Sequence, residues 1–493
     1  MVIFPLICSY LWKTFRILLV NLCVMCGIFG LIGKNLSELE IKEIISLLKR
    51  RGIDYTGIEI NEENTYIHCL HSIIDNIKQP LKGNDRILLY NGEIYNWKKL
   101  KEKYHLKSEN DTEVLFSLLQ SKGINCINEL DGMFAFAYDD GEKVFLARDI
   151  LGIKPLVYSK YSEAQFAFAS EGKVLKKINL EYEELNPKEI LVYNKKTKSI
   201  SKLKREFFVL PKESKLSKSN IKEELKPKLI DSVKLHTEGV DDFGILFSGG
   251  IDSTLLALLC KKLNKKFTCY VSSVIDKNLR DPPDLIASRK VSKEYNLKLK
   301  EVLINKKELE KLLPEIIDII ESNDIIKVSV ALPFYLAAKE AKKDNKKILL
   351  SGLGSEELFA GYERHYIALK NGKSVNGECL NGLSELWKRD LYRDDMITMH
   401  NTIELRLPFL NCELINFALS IPSKYKINEE HKKIILREVA EELGLSKEFA
   451  WRKKLGAQYG SNTDKIIQKI AKEHGFKSKR EYVESLTTTA LDS

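Results

Sequence analysis

At 493 residues the chain is long enough for two to four domains, each able to bury a core of its own. A hydrophobic fraction of 44% with a charged fraction of 30% excludes a disordered chain and a polytopic membrane protein. The net charge of +10 comes from lysines spread along the whole length, in doublets such as Lys261 and Lys262 that read as solvated helix faces, so no nucleic-acid patch is expected.

The chain opens on an apolar stretch, Met1 to Val24, which Lys13 and Arg16 break into pieces too short to span a bilayer. No small-residue cleavage site follows it, and Met25 stands directly before Cys26. Residues 1–25 are therefore expected to be an extension absent from the mature protein. The nine cysteines form no regular framework, which points to a reducing, cytoplasmic setting. Cys23 and Cys26 have C-x-x-C spacing, but no second pair follows to complete a zinc site.

From Cys26 to about residue 210, short β-type runs alternate with turn signals: 27–32, 65–69, 87–90, 134–138, 144–147, 166–169 and 190–193. Segments 37–49 and 112–121 carry apolar residues at helical spacing, so this part reads as a layered α+β domain. Polar, unperiodic residues around 211–220 read as a linker. Beyond it, helix 221–236 precedes strand 243–247, helix 254–263, strand 267–272, helix 285–295, strand 300–303, helix 331–342 and strand 347–350. Such alternation predicts a doubly wound parallel sheet over 221–493, with ligands beyond the carboxyl ends of its strands and a mostly helical last hundred residues.

Two constellations carry chemistry. With Met25 removed, Cys26 would be a thiol bearing its own base, because a terminal α-amine titrates near pH 7.7 to 8.0 and can take the thiol proton unaided. Asn91 and Gly92, beyond the strand at 87–90, offer an amide and a backbone N–H suited to stabilising an oxyanion. Further on, strand 243–247 runs into Ser248-Gly249-Gly250-Ile251-Asp252-Ser253 and a helix. There glycines allow close backbone approach while hydroxyls, N–H groups and the helix N-terminus cradle phosphate. This loop differs from G-x-x-x-x-G-K-[ST], so γ-phosphate transfer is not implied.

Together these segments resemble the asparagine synthetase B family, and within it the asparagine synthetase domain-containing subgroup. In the N-terminal half the resemblance runs through Cys26 to Gly30, Arg51-Gly52 with Asp54 and Gly57, Gln79-Pro80-Leu81, Asn91 to Asn96, Asp111-Thr112-Glu113, Asp131 to Ala135, Ala147 to Asp149 and Phe168 to Glu171. It implies a class II glutamine amidotransferase domain, of N-terminal-nucleophile fold, over 26–210. Cys26 is then the nucleophile, Asn91 and Gly92 the oxyanion hole, and Glu93 and Asp111 the holders of the glutamine α-amino end. In the C-terminal half, Ser351-Gly352-Leu353-Gly354-Ser355-Glu356-Glu357, Glu404, Arg406, Lys433, Arg437, Trp451-Arg452 and Lys454 carry the resemblance. It implies a pyrophosphate-loop domain that cleaves ATP between the α and β phosphates. ATP contacts are implied at Leu246, Ser248, Gly249, Gly250, Asp252, Ser253, Ser272, Ser351 and Gly352. Asp252 and Glu356 would hold Mg²⁺, a hard cation suited to oxygen ligands, and Lys433 would contact phosphate. Glutamine and aspartate, or another carboxylic acid, are the implied substrates, with no nucleic acid or membrane partner and a homodimer left open.

Two positions depart from the family pattern. Leu70, in His68-Cys69-Leu70-His71-Ser72-Ile73-Ile74-Asp75, stands where an arginine for the glutamine carboxylate is expected, with His71 or another base to compensate. Leu353 stands where a glutamate tied to the aspartyl-adenylate is expected, which leaves the acceptor acid open.

Overall fold

A computed structural model describes residues 24–488, apart from residues 62, 74–76, 160–164 and 454. The N-terminal extension up to residue 23, Ile74, Asp75 and Lys454 thus lie outside the described residues.

The first half is built on antiparallel strands. β1 (Val24–Ile32) pairs along its length with β3 (Asn64–Ser72), which also pairs with β2 (Tyr55–Asn61). β4 (Arg86–Ile94) meets β1 at Val24↔Gly92 and pairs with β5 (Gly132–Asp139), β5 with β6 (Lys143–Arg148), while β7 (Phe166–Ala169) closes on the far part of β1. Side chains alternate across a strand, and β1 uses both faces. Ile28 and Ile32 join a core with Leu89, Ala135 and Phe168, whereas Phe29 and Leu31 pack on Ile44 and Leu48 of helix α1 (Glu38–Leu48). On the side of Tyr90 and Phe136, helix α2 (Asp111–Lys122) supplies Val114, Leu115 and Leu118. Both helices start at side-chain caps: Ser37 and Glu40 form a capping box on α1, and the Asn110 Oδ1 accepts the Glu113 N–H at α2.

The linker lies along the second half, where the Ser214 N–H donates to the Ser420 carbonyl and Glu213 accepts from the Ser423 N–H. Helix α3 (Lys218–His236) begins at a Ser217 cap, three residues ahead of the apolar periodicity that predicted it. Then β8 (Asp242–Leu246), β9 (Lys266–Ile275), β10 (Leu299–Asn305), β11 (Ile348–Leu350) and β12 (Glu404–Arg406) form a parallel sheet in the order β10-β9-β8-β11-β12. Between β8 and β9, helix α4 (Ile251–Lys262) buries Leu255, Leu256 and Leu259; helix α5 (Pro283–Glu294) follows β9. The expected doubly wound domain is present. It holds more helix than periodicity indicated: Lys306–Ile320 is a helix, and the one expected at 331–342 spans Ile325–Lys343 with Pro333 inside it. Asp324 caps this helix by accepting from the N–H groups of residues 326 and 327.

Candidate active site: two centres joined by buried charges

The first centre forms where β1, β3 and β4 meet. Cys26 is fully buried, and its backbone N–H donates to the Asn91 Oδ1 at 3.0 Å. The other atom of that amide, Asn91 Nδ2, is a buried donor with no hydrogen-bond partner among the described residues. Gly92 takes φ +145°, and a Cβ there would fall 2.1 Å from the Met133 carbonyl oxygen, so glycine is required by both backbone and space. Burial pushes the Cys26 thiol well above its ordinary pKa. The thiol is therefore the stable form in this environment, and a nearby base is needed to make the nucleophile. Cys26 lies within β1, with Val24 and Met25 paired ahead of it to Ser72 and His71.

Of the two acids expected to hold an amine, Asp111 is buried at the start of α2. Its Oδ2 accepts from the Tyr90 hydroxyl at 2.7 Å and the Ile94 N–H at 3.1 Å. Burial raises its pKa to about 6 despite those bonds. Glu93 also touches the other half of the chain, where its Oε2 lies 3.0 Å from a guanidinium nitrogen of Arg406 on β12. Leu70 lies directly opposite Cys26 in the β1–β3 register, and the two pack together with Tyr55. His71 is opposite Met25, so strand alternation turns its ring to the other face. There its Nδ1 is 3.5 Å from Asp54, and the electrostatic neighbours include Lys347 and Glu404 of the parallel-sheet domain. His71 thus does not take over the position vacated at Leu70.

The second centre forms beyond the carboxyl ends of β8 and β11. After Leu246, the last residue of β8, the loop folds on its own hydroxyls. Ser248 N–H donates to the Ser253 Oγ at 3.3 Å, and the Gly250 N–H to the Ser248 Oγ at 3.3 Å. Gly249 takes φ +64°, and a Cβ there would come 2.7 Å from the Ser288 nitrogen of α5. Ser272 on β9 is buried, and its Oγ has no hydrogen-bond partner among the described residues. Past β11, Ser351 Oγ accepts the Leu353 N–H at 3.3 Å, and the Leu353 side chain packs against the domain's main core.

Lys433 draws this centre together. Its ammonium contacts both oxygens of Asp252 at 2.7 and 2.8 Å, the Ser355 Oγ at 2.8 Å and Glu356 Oε1 at 2.6 Å. The side chain is buried. Burial lowers its pKa from the ordinary lysine value, with Asp252 pulling the other way. Lys433 sits at φ +59°, a conformation costing about 1 kcal/mol for a non-glycine residue. Two glycines make room: a Cβ on Gly352 would lie 2.7 Å from the Asp252 Cβ, and one on Gly361 would lie 1.6 Å from the Glu356 Oε2. The resemblance joined Asp252 and Glu356 in one Mg²⁺ role and gave Lys433 a separate phosphate contact. Ser355 lies in the run that carries the resemblance but has no role assigned by it, and the room that Gly361 leaves shows only in the close approach itself.

The two centres share a seam of buried charges. Arg51 donates from Nε to the Cys26 carbonyl at 3.2 Å, and its other nitrogens reach Glu171 at 3.0 Å and Asp395 of the second domain at 2.6 Å. Every group in that triad is buried; Arg51 faces both carboxylates, Glu171 also meets Lys173 at 2.8 Å, and Asp395 lies 3.6 Å from the buried Lys154.

The family model described as a glutamine amidotransferase domain matches residues 25–215, and that described as asparagine synthase matches residues 224–377 and 367–491. The chain belongs to the glutamine-hydrolysing asparagine synthetase family. A Methanocaldococcus jannaschii relative is 32% identical across 92% of this chain and 97% of its own. The Escherichia coli asparagine synthetase B (glutamine-hydrolyzing) is 30% identical over 87% of this chain and 81% of its own. The human asparagine synthetase (glutamine-hydrolyzing) is 30% identical over 95% of this chain and 89% of its own. Both family domains are thus present, the class II amidotransferase domain on the antiparallel strands and the ATP domain on the parallel sheet.

Proposed function

We propose that the protein makes asparagine from aspartate, ATP and glutamine, releasing glutamate, AMP and pyrophosphate. The Asn91 amide carries the reading: one end holds the Cys26 nitrogen while the other remains a buried donor without a partner. With the residues before Cys26 removed, that nitrogen is a free amine able to take the thiol proton. The thiolate then attacks the glutamine amide carbon, and Asn91 Nδ2 with the Gly92 N–H stabilises the resulting oxyanion. Ammonia leaves, and water releases glutamate from the thioester. Asp111 and Glu93 are suited to the substrate's α-ammonium.

At the second centre the Ser248–Ser253 loop, with Ser351 and Gly352, is assigned to the phosphates of ATP, and Leu246 and Ser272 to the rest of the nucleotide. The aspartate carboxylate attacks the α-phosphate to give an acyl-adenylate, which ammonia delivered internally converts to asparagine. Asp252 and Glu356 converge on one ammonium, a pure oxygen donor set that fits Mg²⁺, whose charge would neutralise the departing pyrophosphate. Lys433 holds both acids in register and carries a positive charge to the same point.

No helix among the described residues is long and apolar enough to cross a membrane, and the described cysteines are free; a cytoplasmic location and a homodimer are part of the proposal. A second reading rests on Leu353, whose apolar side chain cannot orient ammonia: the acceptor is then a carboxylic acid other than aspartate. AMP release with glutamine and a panel of carboxylic acids decides between them. Turnover of another acid, with none from aspartate, refutes the first reading.

A further inference from the structure

Glutamine is a zwitterion, so a pocket that draws its amide carbon to Cys26 must also meet a carboxylate with a cation or strong donors. Most cations near Cys26 are committed elsewhere. Arg51 spends Nε and both terminal nitrogens on the Cys26 carbonyl, Glu171 and Asp395. Lys347 donates to the Ser72 carbonyl, and His71 turns to the opposite face of β3.

A different cation lies beside the apolar cluster around the thiol. Tyr55 pairs with Leu70 and packs on the Cys26–Leu70 cluster, and the Lys78 ammonium lies over the Tyr55 ring at 5.1 Å from its centroid. Lys78 is exposed, but its backbone is anchored. The next residue, Gln79, exchanges hydrogen bonds with Tyr90: its Oε1 accepts the Tyr90 N–H at 2.7 Å, and its Nε2 donates to the Tyr90 carbonyl at 3.2 Å. Tyr90 directly precedes Asn91. Gly57 permits the approach from the other side, since a Cβ there would fall 1.8 Å from the Gln79 carbonyl oxygen. The segment bearing Lys78 is therefore registered against both the Asn91 strand and the Tyr55 strand.

We propose that Lys78, poised over Tyr55 beside the Cys26–Leu70 cluster, supplies the cation that binds the α-carboxylate of glutamine. The carboxylate gains an ion pair there while Leu70 and Tyr55 contact the methylene chain. This assignment rests on the glutaminase reading above and names a specificity residue for it. A lysine is a single point charge, so it replaces the charge of a guanidinium without its two-pronged geometry.

The test compares glutamate release from glutamine and from glutamine α-methyl ester, which lacks the carboxylate charge, by wild type, Lys78→Ala and Lys78→Arg. Lys78→Ala is expected to raise the KM for glutamine roughly 10- to 100-fold, the range for losing one charged hydrogen bond, with kcat within about threefold. The KM for the methyl ester stays level, Lys78→Arg recovers most of the loss, and ammonia-dependent AMP release is unchanged. A glutamine KM within about twofold of wild type in Lys78→Ala overturns the assignment, as does an equal rise for glutamine and its ester. Wild-type protein that releases no glutamate from glutamine overturns the glutaminase reading itself.

Discussion

Replacing Lys433 by methionine tests the second centre most directly. The change keeps the length of the side chain and a non-glycine residue at φ +59°, so backbone strain is the same in both proteins. What disappears is the ammonium between Asp252, Ser355 and Glu356. Removing one partner from a buried ionic group leaves uncompensated charge and costs about 3 to 5 kcal/mol. In a domain of this size each kcal/mol moves the midpoint by about 2 to 4 °C, so the ligand-free variant should melt roughly 6 to 20 °C below wild type. Calorimetry in chelator at neutral pH reads the difference. Adding Mg²⁺ should then recover part of the loss in the variant, where two carboxylates lack their cation, and do less for wild type. A variant melting within about 2 °C of wild type in chelator would mean that Lys433 does not neutralise these acids, and the account of the centre would fall.

Other expectations follow the same logic. Cys26→Ala should abolish glutamine-dependent AMP release while ammonia-dependent release persists, as measured with the same acceptor acid. Asn91→Ala should lower kcat for glutamate release by about 10²- to 10³-fold with little change in fold, because it removes an oxyanion donor. Asp111 has a folded pKa of about 6 against an ordinary 3.8. Ionising it therefore costs the folded state, and its contribution is fully favourable below the lower value and lost as pH rises through the higher one. That gap corresponds to about 3 kcal/mol, so Asp111→Asn should flatten the fall in stability across this window in denaturant titrations at several pH values. Gly361→Ala should destabilise the ATP domain and depress AMP release, since the new methyl would overlap Glu356.

Where local chemistry decides structure, the sequence was readable. The glycine loop after a β-branched and apolar strand announced the second centre, and the Cys26 and Asn91 segments announced the first, because each needs particular residue types at fixed spacing. Elements set by tertiary burial were harder to see. β12 has only three residues, Glu404–Arg406, two of them charged, and it is a strand through its parallel pairing with β11, with Arg406 and Glu404 buried as an ion pair. The helix containing Pro333 extends to Ile325 because its Asp324 cap and buried Val328 outweigh the proline's cost. The role of Glu93 shows the same limit from the other direction. Its neighbours in sequence suggest a substrate contact, and its additional ion pair with Arg406, far along the chain, is visible only in three dimensions.

The pairs Arg51 with Asp395 and Glu93 with Arg406 have a bearing on how such a molecule can be altered or recombined. Each half contributes one cation and one anion to these pairs, so cutting the chain at the linker would part all four from a counter-ion, leaving Arg51 only Glu171 and Arg406 only Glu404 of the ion partners described above. A glutaminase half borrowed from a relative would be accepted only if these partners travelled with it, and inheritance of the two halves is thereby bound together by four side chains.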